Sequence, residues 1–183
     1  MLREGKINKV RIIGGTHRSR FITFPDAEGL RPTPDRVRET LFNWLGQTLY
    51  GKRCLDLFAG SGALGFEAAS REAEHVVMVE SNRSTFRVLQ ENAQRLALSN
   101  VALVCTDGLK FAAQENLAFD VIFLDPPFQS DFLPQLLPKL VNRLTAEGVI
   151  YVESGNVFVP GEGWQVLKQG KAGAVHHQLI RRA

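Results

Sequence analysis

No apolar run in this 183-residue chain approaches the roughly 20 residues a membrane helix needs. The longest, such as Val76 to Val79 and Val121 to Leu124, are strand-sized. No apolar stretch follows Met1 to Lys6, so no secretory signal and a cytoplasmic location are expected. Cysteine is limited to Cys54 and Cys105, each inside an apolar run. They read as two buried thiols in a reducing compartment, which excludes a disulfide framework. His75, His176 and His177 have no Cys or His at ligand spacing, so they read as surface or edge residues and no metal is expected. Trp44 and Trp164 read as packing groups. There is no repeat, low-complexity tract or linker, and 44% hydrophobic with 22% charged residues is ordinary globular composition. Disordered, collagen-like and coiled-coil classes are excluded, and a single-core monomer is expected.

Charge is unevenly placed. The formal net charge is +3, yet residues 1–20 hold Arg3, Lys6, Lys9, Arg11, Arg18 and Arg20 against Glu4 alone. A basic start on a slightly acidic body suits a partner with a phosphate backbone; a solvated tail is the plain alternative. Asn8 to Ile13 and Ser19 to Phe24 flank Gly14-Gly15, which predicts a hairpin carrying Lys9, Arg11, His17, Arg18 and Arg20 on a defined ribbon. Residues 1–30 are thus expected as a nucleic-acid-contacting extension of a domain over 31–183.

Thr33-Pro34-Asp35 reads as an N-cap, a first-turn proline and a dipole-favoured acid, opening a helix over about 34–46. From Lys52, apolar runs at Cys54 to Phe58, Val76 to Glu80, Val101 to Cys105, Val121 to Leu124 and Val149 to Val152 read as strands buried on both faces. Helical periods lie between them: Ala63 to Ser70, the Phe86, Leu89, Ala93, Leu96 stripe, Leu109 to Gln114, and Phe132 to Leu144. Strands alternating with helices predict a doubly wound, mostly parallel α/β sheet. Trp164 to Lys168 and Val175 to Arg181 predict a hairpin closing one sheet edge.

Two motifs carry chemistry. Gly60-x-Gly62-x-x-Gly65 stands where the first of these strands meets a helix, the place where glycines let backbone approach a ligand. The string alone is weak evidence. Glu80, twenty positions beyond Gly60 at a strand end, can accept both hydroxyls of a ribose, which points to a nucleoside-containing cofactor. Asp56 before the glycines suits a cationic sulfonium and ammonium better than a pyrophosphate. It could instead be a buried acid capping the loop. Asp107 is placed to meet an adenine amino group or to cap the helix that follows, and the two roles are compatible. The second motif, Asp125-Pro126-Pro127-Phe128, follows a strand directly. Prolines fix φ and donate nothing, so the Asp125 carboxylate and the Pro126 carbonyl are held as acceptors for an exocyclic amino group, with Phe128 offering a stacking face. The plain alternative is a proline turn ending a strand above a core phenylalanine.

Together, Asp56 to Gly65, Asp125 to Phe128, Arg11-Ile-Ile-Gly-Gly15, Arg31 to Phe42 and Ile150-Tyr-Val-Glu153 resemble the ribosomal small-subunit methyltransferase D family over nearly the whole chain. The resemblance implies a seven-stranded, Rossmann-like class I fold using S-adenosyl-L-methionine (AdoMet) to methylate the N2 amino group of a guanine in 16S rRNA, within an assembling or assembled 30S subunit. It implies Asp56, Phe58, Gly60, Gly62, Glu80, Asp107 and Gly108 at cofactor positions, Asp125 to Phe128 as the catalytic motif, and the Arg31 to Phe42 stretch near the bound cofactor and target base, with Arg31 and Arg36 as RNA contacts. The sequence departs from the pattern at Glu72, where a glycine is expected after the first helix of the sheet domain. An amino-methyltransferase of DNA shares this chemistry, a nicotinamide-dependent dehydrogenase shares the glycine turn and Glu80, and an RNA-binding protein on an inactive enzyme fold is a third alternative.

Overall fold

The computed structural model describes residues 6–27, 30–114, 117–127 and 131–183. The chain opens with β1 (Ile7–Arg11) and β2 (Phe21–Pro25), an antiparallel pair in which Arg11 opposes Phe21. Helix α1 (Asp35–Leu45) follows, then β3 (Arg53–Asp56), α2 (Ala63–Ser70), β4 (His75–Glu80), α3 (Arg83–Arg95), β5 (Val101–Cys105), α4 (Gly108–Gln114) and β6 (Phe119–Leu124). Helix α5 (Phe132–Leu140), a 3-10 turn over Val141–Arg143, and strands β7 (Leu144–Ser154), β8 (Trp164–Ala172) and β9 (Val175–Arg182) complete it. The second sheet has seven strands in the order β5-β4-β3-β6-β7-β9-β8. Strands β3 to β7 are parallel, and β9 and β8 add antiparallel at one edge. No helix among the described residues is long and apolar enough to cross a membrane.

The central strands are apolar throughout because helices cover both of their faces. One face packs Leu41, Phe42, Phe66, Phe123 and Tyr151 with α1, α2 and α3. The other packs Phe119, Leu124, Leu136, Leu140 and Ile180 with α4 and α5. Val10, Ile12, Ile22 and Phe24 of the N-terminal hairpin belong to the first of these clusters, so the ribbon's inner face is part of the main core.

Polar groups fasten that ribbon. Glu67, fully buried on α2, accepts from the backbone N–H of Ile13 (2.9 Å) and Gly14 (2.8 Å) and from the guanidiniums of Arg38 (3.2 Å) and Arg71 (2.8 Å). A buried carboxylate is tolerated only with this degree of pairing. Ser70 closes the contact, its hydroxyl donating to the Gly14 carbonyl and accepting from the His17 N–H. The hairpin turn therefore rests on the C-terminal end of α2.

Several expectations change. Thr33 does not cap α1: Pro34 occupies the cap position without a side-chain bond, and the Thr33 hydroxyl is turned to Glu153. Cys54 is buried, its thiol pushed up to about 12 by burial, but Cys105 ends edge strand β5 and is exposed. His177 is buried, stacked on Trp44 at 5.3 Å, because its strand β9 lies inside the sheet and not at its edge. The helix expected over Phe132 to Leu144 stops at Leu140, and β7 begins as early as Leu144. Glu72, the residue departing from glycine, has φ +69°, the left-handed conformation that glycine adopts without strain.

Candidate active site

In a parallel sheet of this kind, ligands bind outside the carboxyl ends of the strands. Four acids lie at those ends: Asp56 closes β3, Glu80 closes β4, Asp125 follows β6, and Glu153 is the penultimate residue of β7. A cavity of about 70 Å³ sits there, lined by Asp56, Phe58, Gly60, Asp125 and the crossing segment Leu30 to Thr33, among others. Nucleoside-sized ligands need several hundred Å³, more than this cavity offers with the Leu30 side chain lying against Gly60. A larger concavity, about 590 Å³, lies at the opposite end of α2 beside Gly14, Arg18 and Arg71, away from these acids.

The glycine turn is shaped by its own geometry. Gly60 and Gly62 have φ +52° and +86°, and a Cβ on Gly62 would fall 2.4 Å from the Phe66 ring. A Cβ on Gly65 would fall 2.7 Å from Met78, so this glycine permits close packing of α2 on β4. Asp56 accepts from the Gly65 N–H (3.0 Å). Glu80 accepts from Gly60 N–H (2.9 Å) and Asn82 N–H (2.8 Å), leaving each oxygen a second lone pair. Asp107 does cap α4, accepting from Lys110 N–H at 3.0 Å. Phe58 stacks on Phe132 (5.7 Å) and touches the Cβ position of Gly108, which places both beside the strand ends.

Half-buried Asp125 joins buried Glu153 and Tyr151 in an acidic group. Glu153 accepts from Thr33 Oγ1 (2.8 Å) and Tyr151 OH (2.9 Å). Burial raises the Asp125 carboxyl well above its ordinary range, and the charges of Glu153 and Asp56 add to the effect. Asp56 is pushed up to about 7, chiefly by burial, against the Gly65 hydrogen bond and with help from Glu80 and Glu153. Glu153 is raised by burial although its two hydroxyl partners pull it down, and the Tyr151 hydroxyl rises with it. Among the described residues, no ion pair reaches Asp56, Asp125 or Glu153. Carboxylates gathered without a cation fit a ligand that brings positive charge.

The sequence-derived site residues divide in two. Asp56, Phe58, Gly60 and Asp125 line one cavity, Glu80 bonds its turn, and Arg31 is on its wall. Pro126 is buried and Pro127 exposed; Phe128 lies outside the described residues. Arg36 is exposed in the first turn of α1. The basic ribbon is placed differently. Lys9, Arg11 and Arg20 are exposed on it, Arg11 lying 3.7 Å from Asp35, but its turn with Arg18 is at the far end of α2. His17 is committed within the protein, Nε2 bonding the Leu96 carbonyl and Nδ1 lying 2.8 Å from the Thr16 hydroxyl. Thr33, Tyr151 and Glu153 stand in motifs quoted from the sequence but carry no site role there, although an acid closing the apolar run Ile150 to Val152 matches the signal that marked Glu80.

The solved structure described as a putative methyltransferase yhhF from Escherichia coli superposes with a TM-score of 0.87 at 37% identity, covering 96% of this chain and 98% of that one. The solved structure described as SMU.776, a putative methyltransferase complexed with SAH, shares the fold at 19% identity, with a TM-score of 0.71 over 87% of this chain and 52% of that one. Strand order, glycine turn and strand-end acids thus define the architecture as that of the class I methyltransferases. Residues 10–181 match the family model described as Conserved hypothetical protein 95. The chain is 41% identical to the ribosomal RNA small subunit methyltransferase D of E. coli (strain K12), covering 95% of this chain and 90% of that protein. It is also 41% identical to the Haemophilus influenzae protein of the same name, covering 94% of each. It belongs to the ribosomal RNA small subunit methyltransferase D family.

Proposed function

We propose that this protein is an AdoMet-dependent methyltransferase that modifies the exocyclic N2 amino group of one guanine in 16S rRNA, within an assembling or assembled 30S subunit. The observation that carries this reading is the position of Asp125: a strand-end carboxylate followed by two prolines, on the wall of the cavity that holds Asp56 and the Gly60 turn. The site's chemistry fits AdoMet. Asp56, Asp125 and Glu153 are gathered without a cation among the described residues and resist ionising in the ligand-free fold, so a cationic ligand would relieve them, and the turn at Gly60 has no side chain of its own in the way of close approach. Asp56 and Glu80, with Phe58, Gly60, Gly62, Asp107 and Gly108 around them, would hold the cofactor, which when bound supplies an electrophilic methyl group on a sulfonium.

The protein's own part is positioning and charge. An exocyclic amine is a poor nucleophile because its lone pair is delocalised into the ring. Acceptors at the Asp125 carboxylate and the Pro126 carbonyl strengthen their bonds to its N–H groups as positive charge develops on nitrogen. Neighbouring positive charge holds Asp125 ionised before transfer; once that charge is discharged, burial raises its proton affinity again, so Asp125 can take the proton that nitrogen sheds. Phe128 would stack the base. Unstacking a guanine costs a few kcal/mol and is easiest in irregular RNA. Residues 1–30 serve as an RNA-contacting extension through Lys9, Arg11, Arg18 and Arg20, with Arg31 and Arg36 nearer the cavity, and the enzyme acts as a monomer.

The test is tritium transfer from AdoMet to free 16S rRNA, 30S subunits and duplex DNA, followed by nucleoside analysis. Label in N2-methylguanosine of the RNA is expected. Label in another nucleoside, or in DNA alone, would overturn the reading.

A further inference from the structure

Residues 164–183 carry Lys168, Lys171, Arg181 and Arg182 and no carboxylate, a second basic segment at the opposite end of the chain from the first. They form the β8–β9 hairpin on the β7 side of the sheet, the side of Asp125 facing away from Glu80 and the strands that carry the glycine turn. The register fixes which end of the sheet each cation occupies. Val152 of β7 pairs with Leu124, the residue before Asp125. Two residues on, Ser154 pairs with His176, which in turn pairs with Lys171. Ser154, His176 and Lys171 thus form a row across three strands at the catalytic end. Directly opposed residues share a sheet face, so Lys171 and His176 stand side by side, on the face of Ser154 and Val152 and not on that of Tyr151 and Glu153. Lys171 is exposed and His176 half-exposed, and neither is in an ion pair among the described residues. The two arginines of the segment are at the other end, bonded to Gln165 and to the Thr145 carbonyl.

An RNA strand that delivers a base to Asp125 must bring its phosphates close to Asp56, Asp125 and Glu153, acids that no cation offsets among the described residues and that repel phosphate whenever they are ionised. Cations at the catalytic end of the sheet, to either side of Asp125, would hold such a strand there. Arg31 and Arg36 supply one flank, and the basic turn around Arg18 is too far along α2 to serve the other. Resting on the RNA-methylating reading above, we infer that Lys171 and His176 grip the phosphate backbone of the RNA strand beside the target guanine. Lysine on an edge strand has another use, blocking edge-to-edge association of sheets, and the test separates the two.

The measurement is methyl transfer from tritiated AdoMet to 30S subunits over a range of salt concentrations, comparing wild type with Lys171→Ala, Lys171→Arg, the Lys171→Ala/His176→Ala pair and Lys52→Ala. Lys52 is an exposed cation just before β3, at the far end of the sheet. Lys171→Ala should raise KM for the RNA substrate about 3- to 10-fold and lower the steepness of the logarithmic salt dependence by about 0.7, with kcat and AdoMet affinity unchanged. The double variant should lose more, Lys171→Arg should behave as wild type, and Lys52→Ala should change neither quantity. If the double variant keeps the wild-type KM and salt dependence, or loses kcat alone, the row only protects an edge strand and the inference falls while the functional reading stands. If wild type itself transfers no methyl group to RNA, both fall.

Discussion

The crowding of carboxylates at the strand ends makes the empty fold sensitive to pH, most sharply at Asp56. Its pKa is 3.8 in an unstructured chain and about 7 in the folded protein, where it is buried beneath the glycine turn. A raised folded pKa means that folding favours the protonated form. The associated stability is fully present below pH 3.8 and is lost as pH rises toward and through 7. Three units of displacement correspond to about 4 kcal/mol, of which about 2 to 3 kcal/mol disappears between pH 5 and 8. For a chain of this length that is a fall of about 5 to 10 °C in Tm. Asp125 and Glu153 are displaced in the same direction and steepen the slope. The assay is thermal unfolding of the ligand-free protein from pH 5 to 8, repeated with saturating AdoMet. Wild-type Tm should fall with pH while the shift produced by AdoMet grows, because positive charge in the site stabilises the ionised carboxyls. Asp56→Asn should flatten the ligand-free slope, raise Tm above wild type at pH 8 and abolish most of the AdoMet shift. A wild-type Tm that is level or rising across this range, or an Asp56→Asn variant keeping the wild-type slope, would refute the argument.

Asp125→Ala should abolish methyl transfer to rRNA while leaving AdoMet affinity, measured by calorimetry, within a few-fold of wild type; near-normal turnover would remove Asp125 from the mechanism. Glu67→Gln should cost about 3 kcal/mol, read as a lower urea midpoint, because buried Arg71 loses the charge that pairs it and buried Arg38 keeps only Asp35. The same change should expose the N-terminal hairpin to trypsin earlier than the sheet domain, since Glu67 holds the Ile13 and Gly14 N–H groups. Glu72→Gly should stabilise the protein by about 0.5 to 1 kcal/mol, because φ +69° suits glycine and the Glu72 side chain makes only a 3.4 Å contact with the Thr48 hydroxyl. An unchanged or lower urea midpoint would show that the strain is relieved elsewhere.

The parts of this molecule legible in its sequence are those governed by neighbours a few residues away. Ala63–Ser70 matches its helix end to end, and the runs ending at Glu80, Cys105 and Leu124 match their strands, because periodicity and chain punctuation are local signals. Asp56, Gly60, Glu80 and Asp125 could be found for a related reason: a doubly wound sheet puts every strand end on one rim, so residues far apart in sequence meet without any contact needing to be inferred. What escaped were the partnerships made across the fold. Thr33 looked like a helix cap because nothing nearby shows that Glu153, 120 positions on, takes its hydroxyl. Cys105 and His177 were misplaced because burial depends on strand order, and β9 is inserted between β7 and β8 where the hairpin alone suggests only a closed edge. The basic ribbon shows the same limit most plainly. Its charge and hairpin geometry were readable, but its direction was not: Gly14 and Thr16 are bound 54 to 56 positions away, to Ser70 at the end of α2, and that contact carries Arg18 away from the acids. Meanwhile the cations of the last twenty residues, unremarkable as a string, acquire a role only when the register sets Lys171 and His176 beside Ser154. Chemistry that depends on one rim is visible in sequence, whereas the surface that presents an RNA to that rim is defined by strand order and register.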